Sequence, residues 1–220
     1  MRSKLTDFLT GTKVLEEVES PINGEIKVVK GLAFGTYIQV EGLTQSGGIL
    51  KSVWKKPLKK IFNLQVPISS VLVLGLGGGT VAGLVRDFWE DAEITGVDLD
   101  PRMVEMGKKY LGLVKFNVDV VIGDAYEFVK KSKIQNPKSK YDLVLVDLYI
   151  GREFPKKFEK EEFLLSVKKL IREDGRVIFN RLYYGEKRSE AVRFGNKLEK
   201  IFKKIEVVYP EANVMFVCSE

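Results

Sequence analysis

The sequence predicts a doubly wound α/β fold: a mostly parallel seven-stranded sheet with helices on both faces, preceded by a small N-terminal β appendage. Three observations carry this. From Pro67 onward an apolar strand, a Gly or Asp turn and an amphipathic helix alternate repeatedly, as a parallel sheet covered on both faces requires. Before Pro67 short runs alternate apolar and polar residues instead. The last two apolar runs are joined by Pro210-Glu211-Ala212, too short for a parallel crossover, so they form an antiparallel hairpin.

Residues 1–48 read as the β appendage, 49–66 as a connecting helix and 67–220 as the sheet domain. Glu25 to Lys30 and Ala33 to Val40 alternate around Gly31, an antiparallel pair with one wet face. Ile49, Leu50, Val53, Trp54, Leu58, Ile61 and Phe62 then recur at helical spacing, with Pro57 as a kink or interruption. Strands are expected at Ser70–Leu74, Glu93–Val97, Val118–Ile122, Tyr141–Val146 and Arg176–Asn180. Helices are expected at Thr80–Glu90, Arg102–Leu111, Tyr126–Lys133, Lys160–Ile171 and Glu186–Phe202. Ile205–Tyr209 and Asn213–Cys218 make the closing hairpin.

Composition narrows the chemistry. The 220 residues are 45% hydrophobic and 30% charged, enough to bury a core and too rich in apolar residues for disorder. There is no histidine, which removes the usual general base, the usual metal ligand and every Ser-His or Cys-His arrangement. With Cys218 as the one cysteine, an intrachain disulfide and a cysteine metal cluster are excluded, and no metal is expected. A reducing cytoplasm fits this usage. The opening Met-Arg-Ser-Lys-Leu-Thr-Asp lacks the apolar run of a signal peptide, and no membrane partner is expected. The net charge of +6 tolerates an anionic partner without requiring one. The lysine clusters at Lys55-Lys56, Lys59-Lys60, Lys130-Lys131 and Lys156-Lys157 read as solvated helix faces and not as a nucleic-acid surface.

In open α/β sheets ligands bind outside the carboxyl ends of the strands, and four such ends here carry chemistry. Leu74-Gly75-Leu76-Gly77-Gly78-Gly79-Thr80 lets backbone approach a ligand closely and opens a helix with free N–H groups. Gly96-Val97-Asp98-Leu99-Asp100-Pro101 follows at about the 20-residue distance from which an acid reaches two ribose hydroxyls. Asp98 is the better placed, while Asp100 before Pro101 suits a helix N-cap. Gly123-Asp124-Ala125 offers a carboxylate to the exocyclic amine of a base, with an N-cap as the competing role. Val146-Asp147-Leu148-Tyr149 ends an apolar strand with an acid and an aromatic where a transferred group would sit.

A nicotinamide fingerprint would need glycine at position 80, and Thr80 occupies it. The spacing Gly75, Gly77, Gly79 instead resembles the Rossmann-like class I S-adenosylmethionine-dependent methyltransferases. The run from Val71 through Gly123-Asp124-Ala125-Tyr126-Glu127-Phe128 to Val146-Asp147, behind a β appendage, resembles more closely the spermidine synthase (polyamine aminopropyltransferase) branch of that fold. The likeness spans nearly the whole chain and is stronger from Leu43 to Ile178 than at the ends.

The resemblance implies a cytoplasmic transferase connected with polyamine biosynthesis. Gly75, Gly77, Gly78, Gly79, Asp98, Asp124, Ala125 and Gln45 would bind the nucleoside cofactor, S-adenosylmethionine or its decarboxylated form. Asp98 would hold the ribose, Asp124 the adenine and Gln45 another part of the nucleoside. Asp147 would be the acid that helps deprotonate the attacking amine, with Tyr149 walling the acceptor site.

Two departures shift the expected reaction. The family's glycine loop reads Gly-Gly-Gly-Asp-Gly, and the acid that holds the cofactor ammonium aligns with Gly78. Its catalytic strand end reads Asp-Ser-x-Asp, and the second acid, which grips the diamine, aligns with Ile150. Each lost charge-assisted contact costs about 1.5 to 3 kcal/mol, so methyl transfer to a small-molecule amine or hydroxyl is favoured over aminopropyl transfer. A non-catalytic nucleoside-binding protein is the third reading. Leu148 to Phe158 is long enough for a lid, with a solvated loop as the alternative; Tyr183 and Tyr184 suit the acceptor pocket or aromatic packing. The acceptor itself and the oligomeric state, for which a homodimer is one option, are not written in the sequence.

Overall fold

The computed structural model describes residues 11–135 and 140–220, so the first ten residues of the N-terminal region lie outside the described residues. Strands β1 (Thr12–Ser20), β2 (Gly24–Gly31), β3 (Gly35–Val40) and β4 (Leu43–Gly47) form an antiparallel sheet in that order. The expected pair is thus the centre of a four-stranded meander. In β1 the register shifts between Val14 and Glu16, which breaks the two-residue alternation that marks a strand. β4 is short and mostly polar, and its pairing with β3 shifts between Ile38 and Gln39.

Helix α1 (Leu50–Asn63) runs through Pro57, so of the kink or interruption weighed for that residue the interruption does not occur. Val53, Trp54, Leu58 and Ile61 are buried along one face, and this packing holds the helix across the missing N–H. The alternating part follows: β5 (Ser70–Leu74), α2 (Thr80–Phe88), β6 (Glu93–Asp98), α3 (Pro101–Tyr110), β7 (Val118–Ile122), α4 (Ala125–Gln135), β8 (Tyr141–Val146), α5 (Glu161–Leu170), β9 (Ile171–Leu182), α6 (Lys187–Leu198), β10 (Lys204–Val208) and β11 (Asn213–Ser219). β9 starts at Ile171 and not Arg176, because its pairing with β8 shifts register and the exposed Arg172-Glu173-Asp174 bulges outward. α6 stops at Leu198, short of the expected Phe202.

The second sheet has seven strands in the order β10-β11-β9-β8-β5-β6-β7. β5, β6, β7, β8 and β9 pair in parallel, while β11 enters antiparallel between β9 and β10. Both faces are buried, as the strand sequences require. Leu72, Leu74, Val144 and Val146 point into a cluster with Phe163, Phe179 and Phe194. Their neighbours Val71, Val73, Leu143 and Leu145 point the other way, onto Trp54, Leu58, Ile61 and Val85. Ile26, Val28, Ile38 and Val40 of the N-terminal sheet pack on Met103 and Met106 of α3, which fixes that sheet over the carboxyl ends of the central strands. Among the described residues no helix is long and apolar enough to cross a membrane.

The chain order reverses at β5: β6 lies on one side of it and β8 on the other. A crevice must open there at the carboxyl ends, since the following loops turn to opposite faces.

Candidate active site

At the reversal the backbones of two strand ends almost touch. A Cβ on Gly75 would collide with the carbonyl oxygen of Asp147, so no larger residue fits where the glycine loop leaves β5. Gly77 follows on the cavity wall and its N–H donates to Asp98 Oδ2 at 2.6 Å. The rest of the loop turns away. Gly78 and Gly79 are buried and do not line the cavity: the Gly78 N–H donates to Ser46 Oγ at 3.0 Å, and Gly79 is the residue before α2. A Cβ on Gly78 would stand 2.8 Å from both Ile38 and Leu111, so this position faces the N-terminal sheet and α3, away from the cavity. Thr80, the residue that breaks the nicotinamide pattern, accepts the Gly47 N–H at 2.5 Å and lies 2.8 Å from Ser46 Oγ. The glycine loop is thereby docked on β4.

Four carboxylates stand at the ends of the central strands. Asp98 accepts from Gly77 on one oxygen and from the Asp100 N–H, at 2.9 Å, on the other. Burial pushes its carboxyl up to about 6 against those two lowering contacts, with Asp100 and Asp147 adding repulsion. Asp100 caps α3 by accepting the Arg102 N–H at 2.9 Å. Its other oxygen accepts from Ser20 Oγ at 2.5 Å and Asn23 Nδ2 at 2.7 Å, which ties the β1–β2 turn to the site.

Asp124 takes the N-cap role weighed for it and also lines the cavity. Its Oδ1 caps α4 by accepting the Tyr126 N–H at 2.8 Å, and Ala125 beside it lines the cavity. Its Oδ2 accepts from the Lys157 ammonium. Burial raises its carboxyl, but Lys157 and the Tyr126 N–H outweigh this, and the group lies below the usual carboxylate range.

Asp147 is half-buried and held from both sides. Trp54 Nε1 donates to Oδ2 at 2.9 Å and Asn180 Nδ2 to Oδ1 at 2.7 Å. Asn180 is braced in turn by Asn213 Nδ2, 2.8 Å from its Oδ1. Both donors are neutral. Burial therefore raises the carboxyl above its usual range even though the two hydrogen bonds lower it.

Tyr149 lines the cavity, but its hydroxyl accepts the Leu182 N–H at 2.8 Å and its ring meets Phe154 edge-on at 5.4 Å. Burial raises the phenol above its ordinary value, so the geometry fits a wall and not a proton carrier. The expected lid is a folded segment. Ile150 and Glu153 exchange backbone hydrogen bonds at 3.0 Å, Gln45 Nε2 donates to the Gly151 carbonyl at 2.9 Å, and Arg152 reaches the Glu41 carbonyl at 3.2 Å. Gln45 thus clamps the segment from the N-terminal sheet and still lines the cavity.

One cavity of about 300 Å³ joins these ends, within the range of small-molecule sites. Of the expected residues, Gly75, Gly77, Asp98, Asp124, Ala125, Gln45, Asp147 and Tyr149 meet there. Gly78 and Gly79 do not. Tyr184 reaches the cavity, whereas Tyr183 packs on Tyr209 at 5.2 Å between ring centres. Sequence reasoning missed Trp54, Asn180, Asn213 and Lys157. Trp54 read as one apolar residue on a helix face, and its indole N–H was the available signal. Asn180 stands in an apolar strand, where a lone amide is itself a mark of a buried polar partner. Lys157 read as solvated charge.

Three kinds of similarity accompany this geometry. The spermine/spermidine synthase domain model matches residues 61–214. The polyamine aminopropyltransferase of Saccharolobus solfataricus is 25% identical over 207 residues, 90% of this chain and 67% of that protein. The eEF1A lysine and N-terminal methyltransferase homolog of Drosophila melanogaster is 32% identical over 143 residues, 61% of this chain and 20% of that protein. Across the first curated relatives the match spans from 20% to 67% of the relative's own length. Spermidine synthase from Thermotoga maritima superposes with a TM-score of 0.73 at 19% identity, covering 94% of this chain and 72% of that one. Human methyltransferase-like protein 13 in complex with SAH gives 0.64 at 21%, covering 78% and 81%. These last two establish a shared fold.

Proposed function

This chain belongs to the spermine/spermidine synthase domain family, and from that premise we propose that it is a transferase that uses S-adenosylmethionine to methylate a small-molecule amine or hydroxyl. The fit to the nucleoside rests on the donor set. Asp98 keeps lone pairs beside the Gly77 backbone for vicinal hydroxyls, and Asp124 keeps one beside Lys157 for a base amine. The cofactor supplies a carbon activated by a sulfonium, and the protein aligns the acceptor with it.

Asp147 does the proton work. An acceptor amine or hydroxyl attacks the carbon, the carbon–sulfur pair leaves on sulfur as a neutral thioether, and the acceptor's proton passes to a carboxylate oxygen of Asp147. Its raised carboxyl is a stronger base than an exposed aspartate, and the fixed Trp54 and Asn180 donors aim it at the cavity. Leu50, Val53 and Ile150 give the neighbouring wall a hydrocarbon surface.

The observation that carries methyl transfer is the setting of Gly78. The family's ammonium-holding acid aligns with Gly78, which carries no side chain and faces Ile38 and Leu111, so no anion reaches the cavity from this position. Without that anion, nothing at this position repels the carboxylate of S-adenosylmethionine. Aminopropyl transfer is the second reading, favoured by the half-buried Asp147, which among the described residues is bonded only by neutral donors, an environment that attracts an ammonium acceptor. Calorimetry with S-adenosylmethionine, its decarboxylated form and methylthioadenosine separates the two. S-adenosylmethionine should bind at least as tightly as the decarboxylated form; a clear preference for the latter reverses the order, and no binding to any removes both.

A further inference from the structure

We propose that Lys157 is a base-reading residue: together with Asp124 it presents a hydrogen-bond donor beside an acceptor, matching the amine and the adjacent ring nitrogen of adenine. The inference rests on the reading of the cavity as an adenine-nucleoside site. Lys157 stands on a short 3-10 turn, Lys156–Glu159, and not on a loose loop. The next residue, Phe158, is buried, with its ring centre 5.1 Å from that of Phe163 and 6.1 Å from that of Phe154. The Lys157 ammonium lies 4.9 Å from the Phe158 ring centre and bonds to Asp124 Oδ2. Backbone and head group are both fixed.

Stability alone is a weak reason for this pair. The Lys157 and Asp124 side chains are 40% and 28% exposed, and an ion pair so accessible to water contributes little. What the pair does offer is unused hydrogen-bonding capacity toward the cavity that both residues line. Asp124 Oδ1 is occupied by the Tyr126 N–H, which leaves a lone pair on Oδ2, and the ammonium retains further N–H donors.

Adenine presents its N6 amine next to an acceptor on either side, N1 or N7. Guanine presents the O6 acceptor there and would be repelled by the carboxylate. Among the described residues lining the cavity Lys157 is the cation, set against the carboxylates of Asp98, Asp100, Asp124, Asp147 and Glu211. Its position at Asp124 marks the base end, and the uncompensated Asp147 marks the end for the positively charged sulfur.

The test is calorimetry of the full chain with methylthioadenosine and its 1-deaza and 7-deaza analogues. In the wild type one of the two analogues should bind about tenfold or more weakly, the usual loss of a charge-assisted hydrogen bond. Lys157→Met should weaken methylthioadenosine by a similar factor and abolish the difference between it and that analogue. A deaza penalty that survives in Lys157→Met, or a wild type indifferent to both analogues, overturns the assignment while leaving the nucleoside site intact. Failure of the wild type to bind methylthioadenosine at all overturns the nucleoside reading, and this inference with it.

Discussion

The indole Nε1 of Trp54 lies 2.9 Å from Asp147 Oδ2, so a residue of the helix in front of the sheet holds the carboxylate at the end of β8. With Asn180 on the other oxygen, the acid is oriented by two neutral donors that stabilise its charge without cancelling it. Burial keeps the proton affinity high, and the two donors fix the direction.

Trp54→Phe removes one donor and leaves the ring. A donor to the ionised form lowers a carboxyl's pKa, so its loss should move the acidic limb of the kcat/KM profile to higher pH. Turnover should fall about tenfold, the scale of one hydrogen bond to a charged group, with nucleoside affinity unchanged. An unshifted limb would remove Trp54 from the role of a positioning residue.

Asp147→Asn should leave nucleoside affinity close to that of the wild type and reduce acceptor-dependent release of the thioether nucleoside by about 100-fold or more. Equal loss of binding and turnover would show that the acid serves the cofactor and not the proton.

On the proposed reading, Asp98 should make nucleoside binding sensitive to pH. Hydroxyl donors prefer the ionised carboxylate, and the group titrates near about 6, so affinity should weaken as pH falls from 7 to 5 (on the order of the interval over which one acid protonates). Asp98→Ala should bind weakly, by about tenfold or more, and show a flatter profile by calorimetry across that range.

Asp142, at the opposite end of β8, provides a stability control. It accepts from the Ser69 and Ser70 N–H groups at 2.8 and 2.9 Å, from Ser69 Oγ, and from Arg172. Burial raises its carboxyl, but these donors prevail and hold it below the ordinary value of 3.8. Its contribution is therefore complete above that value and disappears as pH falls through the lower folded one. Asp142→Ala should destabilise by about 3 kcal/mol at neutral pH, with the difference in denaturation midpoints shrinking in acid.

Gly107→Ala tests the docking of α3 on the glycine loop. In an ordinary helix this change stabilises by about 0.5 to 1 kcal/mol. Here the new Cβ would stand 2.5 Å from the Gly78 Cα and 2.6 Å from its carbonyl oxygen, so backbone has to move. A loss of about 1 to 3 kcal/mol in chemical denaturation is expected, opposite in sign to the helix preference.

The central parallel strands were legible because burial on both faces writes a continuous apolar run: Ser70–Leu74 and Tyr141–Val146 lie where the sequence puts them. The strand ends were legible for the same reason, since Gly75, Asp98, Asp124 and Asp147 each interrupt or close such a run. β1 and β4 were not, because a register shift and a polar composition erase the period of two. The partners of the acids were hidden altogether. Trp54 and Asp147, Lys157 and Asp124, and Gln45 and Gly151 are 93, 33 and 106 positions apart.

The amino-acid order by itself determined the alternation of strands and helices and the identity of the acids at the strand ends, since local pattern dictates strand, turn and helix; the strand order that places the reversal at β5 is a tertiary fact. The tertiary structure alone decided which oxygen of each acid is already occupied, that Gly78 faces α3 and the N-terminal sheet, and that a lysine read as solvent-facing lines the cavity beside Asp124. Hydrogen-bond partners are chosen by proximity in space, and chain order carries no record of it until the helices have packed.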